Sequence, residues 1–436
     1  MDLSVKTMTL AAVMALFSSL ASAVEIQSWI TQQGARVLLV EAHDNPILDV
    51  RVDFDAGSRR DPPGKEGLAA MVASLLDSGT ARLDEDAIQQ QLANSAAQLN
   101  GFAELETAGL RMRSLSRPDL QERVTGLATQ LLTQPTFAVA VLNRERQRAI
   151  ESLLQRQEDA GASADITLQQ RMYGDHPYAR PAYITVNSLQ AIQREDLLQF
   201  WQQHYRAAGA VVSIVGDIKR QDAELLVNAM LRNLPQSTQP LPDIAQATPQ
   251  PVARVHLTRP GSQTHIALGM PVLRRDDPDY YPLLLGNYIL GGGGFDSRLM
   301  QELRVRRGLT YGVRSHFTPL QQAGPFVISL ATRNAEAGLA LQTTREVLAR
   351  FIKEGPTETE LNQAKANIIG GFPLRYDSNS KLLPYLAVIG QYHLPLSYLE
   401  DCPRAVAQVS IAQIRDAWQR RIDPQQMQIV TAGATP

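Results

Sequence analysis

Cysteine is almost absent. Cys402 is the single one in 436 residues, so no internal disulfide can form and the fold must be held by buried apolar cores. Long apolar runs are as scarce. One uncharged, mostly apolar stretch, Met8 to Leu20, follows Lys6 and leads to the small residues Ala21-Ser22-Ala23. It is shorter than the roughly 20 residues of an ordinary membrane span and reads as a cleaved secretory signal over residues 1–23, with the mature chain starting at Val24. No second long apolar run exists, and no cysteine stands at that start to carry a bacterial lipid anchor. The expectation is a protein exported to the periplasm without a membrane anchor. An excess of charge is missing too: 42 Lys and Arg face 44 Asp and Glu, which removes any general attraction to nucleic acid or anionic lipid.

Histidine is sparse and scattered. His43, His176, His204, His256, His265, His316 and His393 include no pair at helical ligand spacing, whereas a catalytic zinc needs about three protein ligands. A nucleophile elbow of the form Gly-x-Ser-x-Gly is absent, and Ser74 and Asp77, which share one expected helix, have no histidine at local spacing. The sequence therefore nominates no metal ligand set and no serine-hydrolase triad.

What the chain does have is an internal repeat. Between Asn233 and Arg254 lie five prolines and many turn formers, which marks residues 234–254 as a linker. On either side the closing segments correspond: Ile192, Leu197, Trp201 and Gly216 fall on Val409, Ile414, Trp418 and Gly433, all at one spacing of 217 residues. In both copies an amphipathic helix precedes a short β-branched strand that ends at Gly. Ile47 to Phe54 and Phe326 to Ala331 read as further strands, and Asp119 to Leu132 and Glu336 to Lys353 as helices. Two homologous α+β domains, 24–233 and 255–436, each with helices packed on one sheet, are expected.

The first domain carries Ala56-Gly57-Ser58-Arg59-Arg60-Asp61 and then Gly67-Leu68-Ala69-Ala70-Met71-Val72-Ala73-Ser74-Leu75-Leu76-Asp77-Ser78-Gly79-Thr80. This segment resembles the pitrilysin/insulinase family of zinc peptidases, whose active members place His-x-x-Glu-His on a helix between a Gly-Ser-Arg strand end and a Gly-Thr. There the two histidines, four apart on one helical face, bind zinc and the Glu activates its water. Here those positions are Ala70, Ala73 and Ser74. The family's third ligand, a Glu on a later helix, aligns with Ser152, one residue from Glu151. The resemblance covers nearly the whole mature chain and implies a half-shell of a peptidase chamber whose zinc site has degenerated.

The second domain carries Gly291-Gly292-Gly293-Gly294-Phe295-Asp296-Ser297-Arg298-Leu299, followed by Arg304-Val305-Arg306-Arg307-Gly308-Leu309-Thr310-Tyr311. The four glycines read as a pliant loop, Ser297 as the cap of a helix running to about Arg307, and Gly308 as its left-handed end. The block is similar to the family's substrate-gripping segment, in which an Arg and a Tyr seven residues on reach toward the scissile peptide. The matching residues are Arg304 and Tyr311. A weaker resemblance places Asn100 to Glu106 on an edge strand to which active relatives add peptide.

With the zinc positions lost and Arg-Tyr kept, the chain resembles the partner subunit of two-chain bacterial members of that family. The resemblance thus implies no cofactor in this chain, a homologous zinc-bearing partner, and a peptide or unfolded protein as substrate. A protein-binding scaffold without proteolysis is the alternative, since family members of that kind build the core of a mitochondrial respiratory complex.

Overall fold

The computed structural model describes residues 24–236 and 240–434; the expected signal at 1–23 and part of the linker lie outside the described residues. In chain order the strands are β1 (Gln27–Ile30), β2 (Arg36–Glu41), β3 (Ile47–Phe54), β4 (Gln98–Ala103), β5 (Ala108–Leu115), β6 (Val211–Gly216), β7 (Arg254–Thr258), β8 (Gln263–Leu273), β9 (Thr310–Phe317), β10 (Gly324–Arg333) and β11 (Gln428–Gly433). They make one sheet of order β1-β2-β6-β3-β5-β4 and a second of order β7-β11-β8-β10-β9. In each, one pair is parallel, β2 with β6 and β7 with β11, while the central strands β3 and β8 run antiparallel to their neighbours. Apart from β1, the two topologies superimpose strand for strand. The closing helices Arg194–His204 and Ile411–Arg421, like β6 and β11, keep the 217-residue spacing at both ends.

Strand β3 shows how the sequence makes the sheet. Leu48, Val50, Val52 and Phe54 alternate onto one face and are buried in the first core with Val212 and Ile214 of β6. The polar alternates Asp49, Arg51 and Asp53 are also buried, at 5%, 5% and 2% exposure. They are tolerated because each is paired: Arg113 Nε reaches Asp49 at 2.8 Å and Arg51 reaches Asp53 at 2.7 Å.

That second face is covered by the helix Asn379–Gln391, which comes from the other half of the chain. Its Leu386 and Ile389 share a core with Leu38, Val40, Val211 and Val215 of the first sheet. Reciprocally, the helix Ala160–Tyr173 of the first half lies on β8 and β11, packing Ala164, Leu168 and Met172 against Ala267 and Val430. Each half is an α+β unit with helices packed on its sheet, as expected, and in addition each half lends one helix to the other. The polar residues of β3 could not announce this, since alternation alone reads as a solvent-facing side. Full burial of a Leu or Ile side chain contributes about 1.5–3 kcal/mol, so the exchange couples the halves.

Candidate functional site

The helix Leu68–Leu75 begins after Gly67, and its first amides are met by Asp61, whose carboxylate accepts from Gly67 N at 2.8 Å and Ala69 N at 2.7 Å. Burial pushes the Asp61 carboxyl up to about 7. Leu68, Met71, Val72 and Leu75 bury one face in the first core. Ala73 is also buried, and its carbonyl lies so close to β4 that a Cβ on Gly101 would stand 1.9 Å from the oxygen. Gly101 is therefore required for the helix to lie on the strand. Strand β4 forms an edge of the first sheet.

Ala70 and Ser74 are exposed and face a cavity of about 690 Å³. Its opposite wall is the helix Val139–Glu158, which contributes Ser152. Glu151 is not part of that wall; it accepts a hydrogen bond from Gln147 Nε2 at 3.1 Å. Positions 70, 74 and 152 thus converge, although 78 residues separate the last two in sequence. Together they offer no metal-ligand set: the side chains are a methyl and two hydroxyls, and the Ser74 hydroxyl donates within its own helix to Met71 O at 3.0 Å. The residues present do not fit the metal. Among the described residues no group of three or more His, Cys, Asp or Glu gathers anywhere that could hold an ion. Asp77, whose carboxyl burial raises to about 6, and Ser74 have no histidine in the cavity to complete a triad.

The Arg304 segment is built differently from the loop-helix-strand expectation. The helix Tyr280–Asn287 continues as a wider π-type turn over Tyr288–Gly292, closed by Gly293 N to Tyr288 O at 2.7 Å. Gly291 and Gly292 are thus helical rather than loop, and a tight turn over Gly294–Asp296 follows Gly293. Wide turns let the helix end press on β9, where Ser315 Oγ donates to Asn287 Oδ1 at 2.7 Å. Ser297 does not cap through its hydroxyl, which donates to Gly294 O at 2.7 Å; its carbonyl instead receives Gln301 N at 2.9 Å. The segment Met300–Arg306 is again π-type, and Gly308, at φ +62°, ends it in left-handed geometry.

Here Arg304 and Tyr311 meet. The Arg304 guanidinium lies 4.5 Å from the ring centre of Tyr311 and 4.5 Å from that of Phe295, clamped between the two. Its neighbours Arg306 and Arg307 both pair with Glu302 at 3.0 Å, while no carboxylate pairs with Arg304 among the described residues. Tyr311 is 84% exposed and Phe295 59% exposed, and all three line a second cavity of about 620 Å³. Sequence reasoning passed over Phe295; an aromatic set directly after a glycine run was its only signal. The helix Ala160–Tyr173 divides the two cavities, with Ser163 and Thr167 facing the first and Gly161, Ala164 and Asp165 the second.

The chain thus folds as two α+β repeats, in which positions 70, 74 and 152 offer no metal ligand and Arg304 is held between two exposed rings. Residues 36–186 match the family described as Insulinase (Peptidase family M16), and residues 191–368 the Peptidase M16 inactive domain. The crystal structure of a peptidase M16 inactive domain from Pseudomonas fluorescens is 37% identical, superimposes with a TM-score of 0.91, and pairs 94% of this chain with 98% of that one. The chain belongs to peptidase family M16 and is an inactive homologue within it. The non-peptidase homolog YmxG of Helicobacter pylori is 28% identical over 392 residues, 89% of either chain. A protease from Helicobacter pylori shares the fold, with a TM-score of 0.85 at 20% identity over 95% of this chain and 100% of that one.

Proposed function

We propose that this chain is the peptide-holding, non-catalytic subunit of a two-chain periplasmic metallopeptidase, lending Arg304 and Tyr311 to the active centre of a homologous zinc-bearing partner. The observation that carries this reading is the state of Arg304: without a carboxylate partner among the described residues, fixed between two exposed rings, and facing a cavity. A guanidinium so held is oriented before substrate arrives. When a peptide carbonyl is attacked, negative charge grows on its oxygen, and a fixed cation and phenol aimed there help most at that moment. Tyr311 sits on β9, an edge of the second sheet, so a peptide strand can approach it with its backbone free to pair. The metal is assigned to the partner, because positions 70, 73, 74 and 152 of this chain offer none of the needed groups.

The test is reconstitution. This chain and a zinc-bearing M16 homologue from the same cell are assayed on an unfolded protein singly and mixed. Turnover is expected only on mixing, and a partner that cleaves as fast alone would defeat the proposal. Stable association without any gain in turnover would favour the scaffold alternative.

A further inference from the structure

The charge of the first cavity has the wrong sign for a metal site. On the Val139–Glu158 helix, Arg148, Ser152 and Arg156 stand four residues apart and line the cavity together. From the second half, Arg259, just past β7, lines it as well. The lining holds one carboxylate, Glu145, and that is already taken by Arg144 at 2.8 Å and Arg148 at 2.7 Å. Arg156 has no hydrogen bond or ion pair among the described residues. Arg259 makes a 3.4 Å contact to Ser163 Oγ and a 3.2 Å one to the carbonyl of Thr258. Two guanidiniums from opposite halves thus face the cavity without a counter-ion among the described residues. The hydroxyls of Ser152 and Thr167, also in the lining, have no partner among the described residues. Between these donors the walls are apolar, with Met71, Leu153, Ile166 and Leu257. The small uncharged side chains at 70, 74 and 152 leave the space open.

We propose that this cavity is a carboxylate-binding site, taking a peptide through a free C-terminal carboxylate or an acidic side chain, with Arg156 and Arg259 as the recognising groups. The guanidinium fork matches the two oxygens of a carboxylate. The hydroxyls complete the oxygen shell, and the apolar walls receive the adjoining side chain. A volume of about 690 Å³ falls within the usual range for a ligand pocket. The site is independent of the partner-subunit reading, since it lies wholly within this chain.

The experiment titrates the isolated chain with a fluorescein-labelled apolar octapeptide in three forms: free acid, C-terminal amide, and amide with one internal Glu. Binding is read as fluorescence anisotropy. The free acid is expected to bind about tenfold or more tighter than the plain amide, and R156Q and R259Q each to weaken the acid by about ten- to a hundredfold while leaving the amide unchanged. An internal-Glu amide that binds tightly while the free acid matches the plain amide would identify a side chain as the carboxylate source, and equal tight binding of the two would show that the site takes either. Arg156 is exposed, so R156Q is expected to fold normally. Equal affinity for all three forms, no binding of any form, or wild-type binding of the carboxylate-bearing peptide by both variants would overturn the assignment.

Discussion

Tyr392, in the second half of the chain, donates its phenolic hydrogen to Glu106 in the first half at 2.5 Å. The same carboxylate accepts from Arg59 Nη1 at 2.7 Å and Tyr178 OH at 2.5 Å, and Glu106 is 3% exposed. Burial, with the Glu106 charge second, pushes the Tyr392 phenol far above its ordinary range. Glu106 thus acts as a polar bolt between halves already joined by exchanged helices. Y392F should lose one hydrogen bond to a charged group, about 1.5–3 kcal/mol. E106Q, which removes the charge opposite buried Arg59, should cost about 3–5 kcal/mol. Urea unfolding measures both, and the wild type should unfold in a single transition; two separate transitions would show that the halves are not coupled.

Turnover of the reconstituted complex should fall about 10²- to 10³-fold in R304A and in Y311F, the loss typical of one oxyanion donor. Zinc content and assembly should be unchanged. F295A, which removes one side of the clamp while keeping the guanidinium, should cause a smaller loss. R306A is the control, because Arg306 is a surface residue paired with Glu302. Unchanged turnover in both R304A and Y311F would remove these residues from the mechanism.

Metal analysis of the purified chain should find no stoichiometric zinc. The triple variant A70H/A73E/S74H should remain inactive and should be destabilised, because Ala73 is buried at 3% exposure and a carboxylate there would lack partners. The variant A70H/S74H/S152E places three ligands on one cavity and should acquire zinc without gaining hydrolysis. Zinc in the unmodified chain, held through dialysis, would contradict the reading of the site.

Acid should reveal His204. Its Nδ1 lies 3.1 Å from the Asp55 carbonyl oxygen and its ring 4.4 Å from Phe200, and burial lowers its pKa from 6.5 to about 4. The folded state therefore holds the neutral ring. Its contribution is complete above pH 6.5 and is lost as pH falls toward 4, amounting in full to about 3 kcal/mol. Asp61 and Asp77, raised to about 7 and about 6, act with the opposite sign: stability falls as pH rises toward those values. The difference between wild type and H204Q isolates the histidine, and that difference should shrink from pH 7 to pH 4.

Local chemistry alone determined several features of this protein. The strand Ile47–Phe54 and the left-handed end at Gly308 follow from periodicity and residue type, which act over a few neighbours, and the 217-residue repeat is read by matching the closing segments of the two halves. The lack of ligands at Ala70, Ala73 and Ser74 is likewise a property of the residues themselves. Tertiary structure decided what faces what. It brought Ser152 rather than Glu151 to Ala70 and Ser74, a choice set by the rotation of one helix against another. It also set Phe295 against Arg304, through wide helical turns that the glycine run does not spell out. The polar face of β3 reads as solvated, yet a helix more than 300 residues further along covers it. Alternation records which side chains avoid water near their own position, whereas the surface that shields the opposite face is chosen by packing between segments far apart in the chain.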